Sequence, residues 1–114
     1  MKNLYEELIS ILTEYNKTLD DIEFISMDTS SVYSKTNLVE ISKDNFIEVA
    51  KRTNYDDDGY GGVEIPKSLK IVGKDWWLER HEYDGSEWFE FKTMPERPDK
   101  IETIDRIRID WSLM

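Results

Sequence analysis

The residue types best suited to chemistry gather in one stretch: Glu79, His81 and Glu90, with Trp77 and Trp88 among them. Two carboxylates beside an imidazole are donors for a divalent cation or an acid/base pair. Two tryptophans on the same surface point elsewhere, to a protein interface, where such side chains are enriched. His81 is the only histidine and the chain has no cysteine. A zinc site of the usual kind and a thiolate nucleophile are therefore not expected. No Gly-x-Ser-x-Gly or Ser-x-x-Lys pattern supplies a serine nucleophile. The expectation is a site without catalytic residues, metal or cofactor.

A second cluster is Asp56-Asp57-Asp58-Gly59, followed by Tyr60-Gly61-Gly62. An EF-hand alternates its ligands and closes on a glutamate. Three adjacent aspartates point in different directions instead, so a solvated loop is expected. The glycines are no phosphate cradle, which would follow a strand, open a helix and carry a lysine. Asp56, Asp57, Asp58 and Tyr60 are grouped with Trp77, Glu79, His81, Trp88 and Glu90 as a candidate protein-binding surface.

What must position the first cluster is a hairpin over residues 76–93, Trp76-Trp77-Leu78-Glu79-Arg80-His81-Glu82-Tyr83 and Ser86-Glu87-Trp88-Phe89-Glu90-Phe91-Lys92-Thr93. Asp84-Gly85 between two aromatic-rich runs is a strong signal for a type I′ turn, which needs positive φ at both central residues. With a two-residue turn Tyr83 faces Ser86, His81 faces Trp88, Glu79 faces Glu90 and Leu78 faces Phe91. Trp76, Leu78, Phe89 and Phe91 then share a core side. Trp77, Glu79, His81, Trp88, Glu90 and Lys92 share the other. Like charges directly opposite destabilise a sheet unless compensated; Lys92, Arg80 or a basic group from the last segment is expected to neutralise the Glu79/Glu90 pair.

The other elements are shorter. Leu4, Leu8, Ile11, Leu12 and Tyr15 recur at helical spacing, predicting an amphipathic helix over 3–17 capped by Asn3 with Glu6 three residues on. Ser42 caps a second helix with Phe46, Ile47 and Ala50 on its apolar stripe. Strands are expected at 23–27, 38–41 and 69–72, and 28–37 reads as loop. After Pro98 the pattern predicts a short helix and then a closing strand carrying Ile107, Ile109 and Trp111. The fold class is α+β in one domain, 1–114: two N-terminal helices interleaved with short strands, packed on a three- to five-stranded antiparallel sheet. Either a helix covers the tryptophan side, the preferred expectation because two amphipathic stripes must be buried somewhere, or a partner does and that side is the binding site.

The chain carries 25 acidic and 15 basic side chains, a formal charge of −10. The excess lies in residues 1–91, with 20 acids and 10 bases; residues 92–114 hold five of each. Such a field repels phosphate backbones, so direct nucleic-acid binding is not expected, and a partner with a basic surface is. No apolar run approaches the length of a bilayer span, and no signal peptide is evident, which predicts a cytoplasmic protein without membrane contact.

GYGGVEI (residues 59–65) and IVGKDWWLERHEYDGSEWFEFKTMP (residues 71–95) resemble a family of small uncharacterised proteins of Gram-positive bacteria and their phages. The resemblance implies a bacterial or mobile-element origin and carries over no catalytic or binding residues. The leading expectation for function is a small acidic, non-enzymatic protein-binding module, an inhibitor or antagonist of a basic bacterial or phage protein. The alternatives are a small enzyme or divalent-metal site using Glu79, His81 and Glu90, and a structural subunit dimerising through its tryptophan face. Monomer and homodimer both remain open.

Overall fold

The computed structural model describes residues 1–33, 37–56 and 62–113. In chain order the elements are β1 (Lys2–Asn3), α1 (Leu4–Glu14), β2 (Phe24–Asp28), α2 (Ser30–Tyr33), β3 (Leu38–Ile41), α3 (Lys43–Lys51), β4 (Asn54–Tyr55), β5 (Lys70–Val72), β6 (Trp76–Tyr83) and β7 (Ser86–Thr93). Single 3₁₀ turns lie at Leu19–Asp21 and Trp111–Leu113.

Helix α1 begins as its sequence requires: the Asn3 side chain accepts from the Glu6 N–H at 3.0 Å, satisfying one orphan donor of the first turn. It stops at Glu14, short of the expected Lys17, because Asn16 turns left-handed with φ 59° and Lys17 N–H closes back on the Leu12 carbonyl at 2.8 Å. Helix α3 starts at Ser42, whose hydroxyl accepts from Asn45 N–H. The expected loop over 28–37 contains the single turn α2, set up by Asp28 accepting from Ser30 N–H at 2.8 Å.

The strands form a five-stranded antiparallel sheet in the order β3-β2-β5-β6-β7, and β1 pairs with β4 in a separate two-stranded ribbon. The hairpin has the register expected from its turn, with Tyr83 opposite Ser86, His81 opposite Trp88 and Leu78 opposite Phe91. Asp84 and Gly85 both take positive φ, 51° and 86°, the requirement of the type I′ turn. At the other end of β6, Gly73 is obligatory for a different reason: a Cβ there would lie 2.1 Å from the Trp76 ring.

Both longer helices pack on the same side of the sheet. Leu4, Leu8 and Leu12 of α1, with Phe46 and Ala50 of α3, meet Ile25, Ile71, Leu78 and Phe89 from the strands. Each fully buried leucine or isoleucine contributes about 2 kcal/mol relative to exposure. The rim of this core is aromatic: Tyr15 stacks on Phe91 with ring centroids 4.1 Å apart, and Phe91 on Trp76 at 5.5 Å.

Residues 99–113 form neither the expected helix nor the closing strand. Ile101, Ile104, Ile107, Ile109, Trp111 and Leu113 are all exposed, Ile101 to 94%. Their spacing fits no single period, being helical from 101 to 107 and alternating from 107 to 111, so no one face gathers them all. The radius of gyration is accordingly 18.0 Å, against about 13 Å for a compact chain of this size.

Candidate functional site: the open side of the sheet

Antiparallel register sorts the second side of the sheet into rows. One row runs Lys92, Trp77, Val72, Phe24, and the next runs Glu90, Glu79, Lys70, Ser26, Glu40. Beyond them His81 pairs with Trp88. The expectation that a helix covers this side is overturned. Ile25, Ile71 and Leu78 face the other way and form the deepest floor for Leu8 and Phe46, so the apolar stripes of both helices are used there. Trp77 and Trp88 are left half-buried at the surface, and Phe24 is 41% exposed.

The polar groups on this side form one continuous chain. Trp77 Nε1–H donates to Glu79 Oε1 at 2.6 Å. Glu79 Oε2 lies 2.9 Å from His81 Nε2, and His81 Nδ1 lies 2.9 Å from Glu90 Oε2. Lys92 Nζ stands 3.5 Å from Glu90 Oε1, partly compensating the carboxylate pair as expected. The indole hydrogen bond, above all, holds the Glu79 carboxyl below its ordinary range; the hydrogen bond from His81 and the nearby Lys70 charge act the same way, and partial burial opposes them. Glu79 is thus a fixed anion at neutral pH. With a carboxylate at each ring nitrogen, both nitrogens of His81 donate only when the ring is an imidazolium.

This geometry bears on metal binding. The imidazole lies between the two carboxylates and each nitrogen faces a different one, so the lone pairs do not converge on a point. Among the described residues no group of three or more histidine, aspartate or glutamate side chains is arranged to hold a metal ion. A recess of about 440 Å³ between α1 and β7 reaches Trp88, and others of about 430 Å³ at the end of α1 and about 390 Å³ beside β3 and α3 lie away from the cluster.

Arg80 does not neutralise the Glu79/Glu90 pair, because it alternates to the helix side and is 5% exposed. Its Nη1 lies 3.1 Å from Glu7 Oε1, and its Nη2 lies 3.0 Å from Glu87 Oε1 and 3.3 Å from the Tyr55 hydroxyl. Tyr55 donates to the second Glu7 oxygen. Glu87 also accepts the backbone N–H groups of Glu64 and Ile65, and Glu7 that of Phe89. The guanidinium sits 4.6 Å over the Phe89 ring. This polar cluster was legible in one respect only: the two-residue turn places Arg80, opposite Phe89, and Glu87 on the same side as Leu78 and Phe89. Nothing in the sequence named Glu7 and Tyr55 as partners.

Asp56 follows β4 on the helix side of the sheet, where its N–H donates to Glu64 at 2.9 Å. It therefore does not join the tryptophan side. Asp57, Asp58 and Tyr60 lie outside the described residues. Comparison of the chain with family models, curated proteins and solved structures finds no match.

Proposed function

We propose that this chain is a small acidic, non-enzymatic protein-binding module that takes a partner with a basic surface on the open side of its sheet. The single observation that carries the reading is that both helices pack on the opposite side, leaving Trp77 and Trp88 half-buried beside the fixed anion Glu79. Tryptophan anchors are enriched in interface hot spots. The formal charge of −10 adds long-range attraction for a cationic partner and repulsion of nucleic acid. A role as antagonist of a basic bacterial or phage protein in the cytoplasm accords with this chemistry. Among the described residues no helix is long and apolar enough to cross a membrane.

The test is capture from a host lysate, followed by titration of the identified partner, with the wild type, Trp77→Ala/Trp88→Ala and Glu79→Gln/Glu90→Gln. A basic partner held by the wild type and lost by both folded variants supports the module. Undiminished binding by both variants sinks it. An acid/base site is the second reading, favoured by the contact of His81 with both carboxylates. It requires a hydrolytic or proton-transfer activity that disappears in Glu79→Gln/Glu90→Gln.

A further inference from the structure

The two outer strands of the sheet differ. At β7 the Phe89 N–H, on the outer side, is occupied by the Glu7 carboxylate at 3.1 Å, and α1 packs alongside. Strand β3 is the opposite edge and, among the described residues, pairs only with β2. On its helix side Val39 and Ile41 open into the recess of about 390 Å³, walled by Met27, Phe46 and the half-exposed Val49. On its other side stands the exposed Glu40. This edge thus offers main-chain groups, an apolar channel on one side and a carboxylate on the other.

One segment of the chain has the matching pattern. Arg106-Ile107-Arg108-Ile109-Asp110-Trp111 alternates apolar and mainly basic side chains with the period of a strand. Ile107, Ile109 and Trp111 are 90%, 58% and 73% exposed. Among the described residues Arg106 reaches only its neighbour Asp105, at 3.8 Å. Added beside β3, the segment would place Ile107 and Ile109 in the recess with Val39 and Ile41. Arg106 and Arg108 would then stand beside Glu40 as opposite-charge cross-strand neighbours.

We propose that residues 106–111 of a second copy of this chain form a sixth strand on β3, and that two copies exchange these strands reciprocally. Residues 94–105 can reach about 40 Å when extended, and the sheet from β7 to β3 spans about 19 Å. A single chain is therefore long enough to close on itself, yet among the described residues its segment joins no sheet, and the molecule extends over 52 Å. The second copy is the occupant that uses this reach and completes the apolar channel on both subunits.

The experiment is sedimentation equilibrium of the full chain, with native mass spectrometry of mixtures. The wild type should be a dimer. Ile107→Lys/Ile109→Lys should raise its dissociation constant roughly tenfold or more, with the fold intact because neither side chain touches the core. Val49→Glu, in the channel wall, should do the same. Mixing the two variants should give a heterodimer joined through one intact strand and one intact channel. A mass of one chain at every concentration overturns the proposal. So does a dimer that both variants leave unchanged, or a monomer in which the Ile107 and Ile109 amides are protected from hydrogen exchange.

Discussion

The Arg80 guanidinium donates to the Glu87 carboxylate over 3.0 Å, and both side chains are about 1% exposed. Two charges removed from water this completely are stable only while each keeps its partners. Glu87 also receives Glu64 and Ile65 N–H, and through them it fastens the chain after residue 62 to the hairpin. Glu87→Gln replaces one acceptor oxygen with an amide that meets donors, and should destabilise the fold by about 3 kcal/mol. Arg80→Met should cost at least as much, leaving two carboxylates without their cation. Urea unfolding monitored by tryptophan fluorescence checks both. A Glu87→Gln midpoint equal to that of the wild type would show that the pair contributes nothing.

The same cluster governs alkaline stability. Burial, followed by donation to Glu7, pushes the Tyr55 phenol well above its ordinary range, although Arg80 pulls the other way. In the unfolded chain a phenol ionises near pH 10 (about 10). The folded state favours the neutral form, so this contribution is complete below that value. It is lost as pH rises from there toward the folded pKa. Tyr55→Phe should be less stable than the wild type at neutral pH by about 1–3 kcal/mol, and the gap should narrow above roughly pH 10. Tyrosinate absorbance together with thermal melts across that range reads the effect. A constant gap would remove the phenol from the explanation.

On the open side the sign reverses. Glu79 is held ionised chiefly by the Trp77 indole N–H, so its contribution is present above the ordinary glutamate value and fades as pH falls through the lowered one. Trp77→Phe keeps a ring but deletes the donor. Carboxyl carbon shifts followed by NMR should show the Glu79 midpoint moving up toward that of an unperturbed glutamate. Trp77→Phe and wild-type stabilities should also converge in acid. If the midpoint stays where it is, the indole hydrogen bond is not what holds the anion.

The hairpin was readable in the sequence because its determinants are local. Asp84-Gly85 fixes the turn, the turn fixes the register, and the register assigns every side chain of residues 76–93 to a side. The caps at Asn3 and Ser42 are equally local. Which side of the sheet the helices would choose was not readable, because it depends on Leu8 and Phe46 meeting Ile71 and Leu78, and amphipathic stripes do not specify their floor. Arg80 looked like a surface charge for a related reason: its partner Glu7 lies 73 residues away. Residues 99–113 misled in the opposite direction. Their isoleucines suit two periods in turn, and neither period gathers all of them on one face.

Glu7 links parts of the chain that are distant in sequence: Tyr55 at a separation of 48, Arg80 at 73 and Phe89 at 82. Contacts of such long range are closed after local ones, since loop entropy must be overcome first. The hairpin is therefore the natural nucleus, and the clasp of α1 on β7 belongs to the last stage of folding. Weakening that clasp acts on the way out rather than on the way in. Glu7→Gln should leave the refolding limb of a chevron nearly unmoved and raise the unfolding limb. How long the molecule stays folded then rests largely on one carboxylate near the start of its sequence.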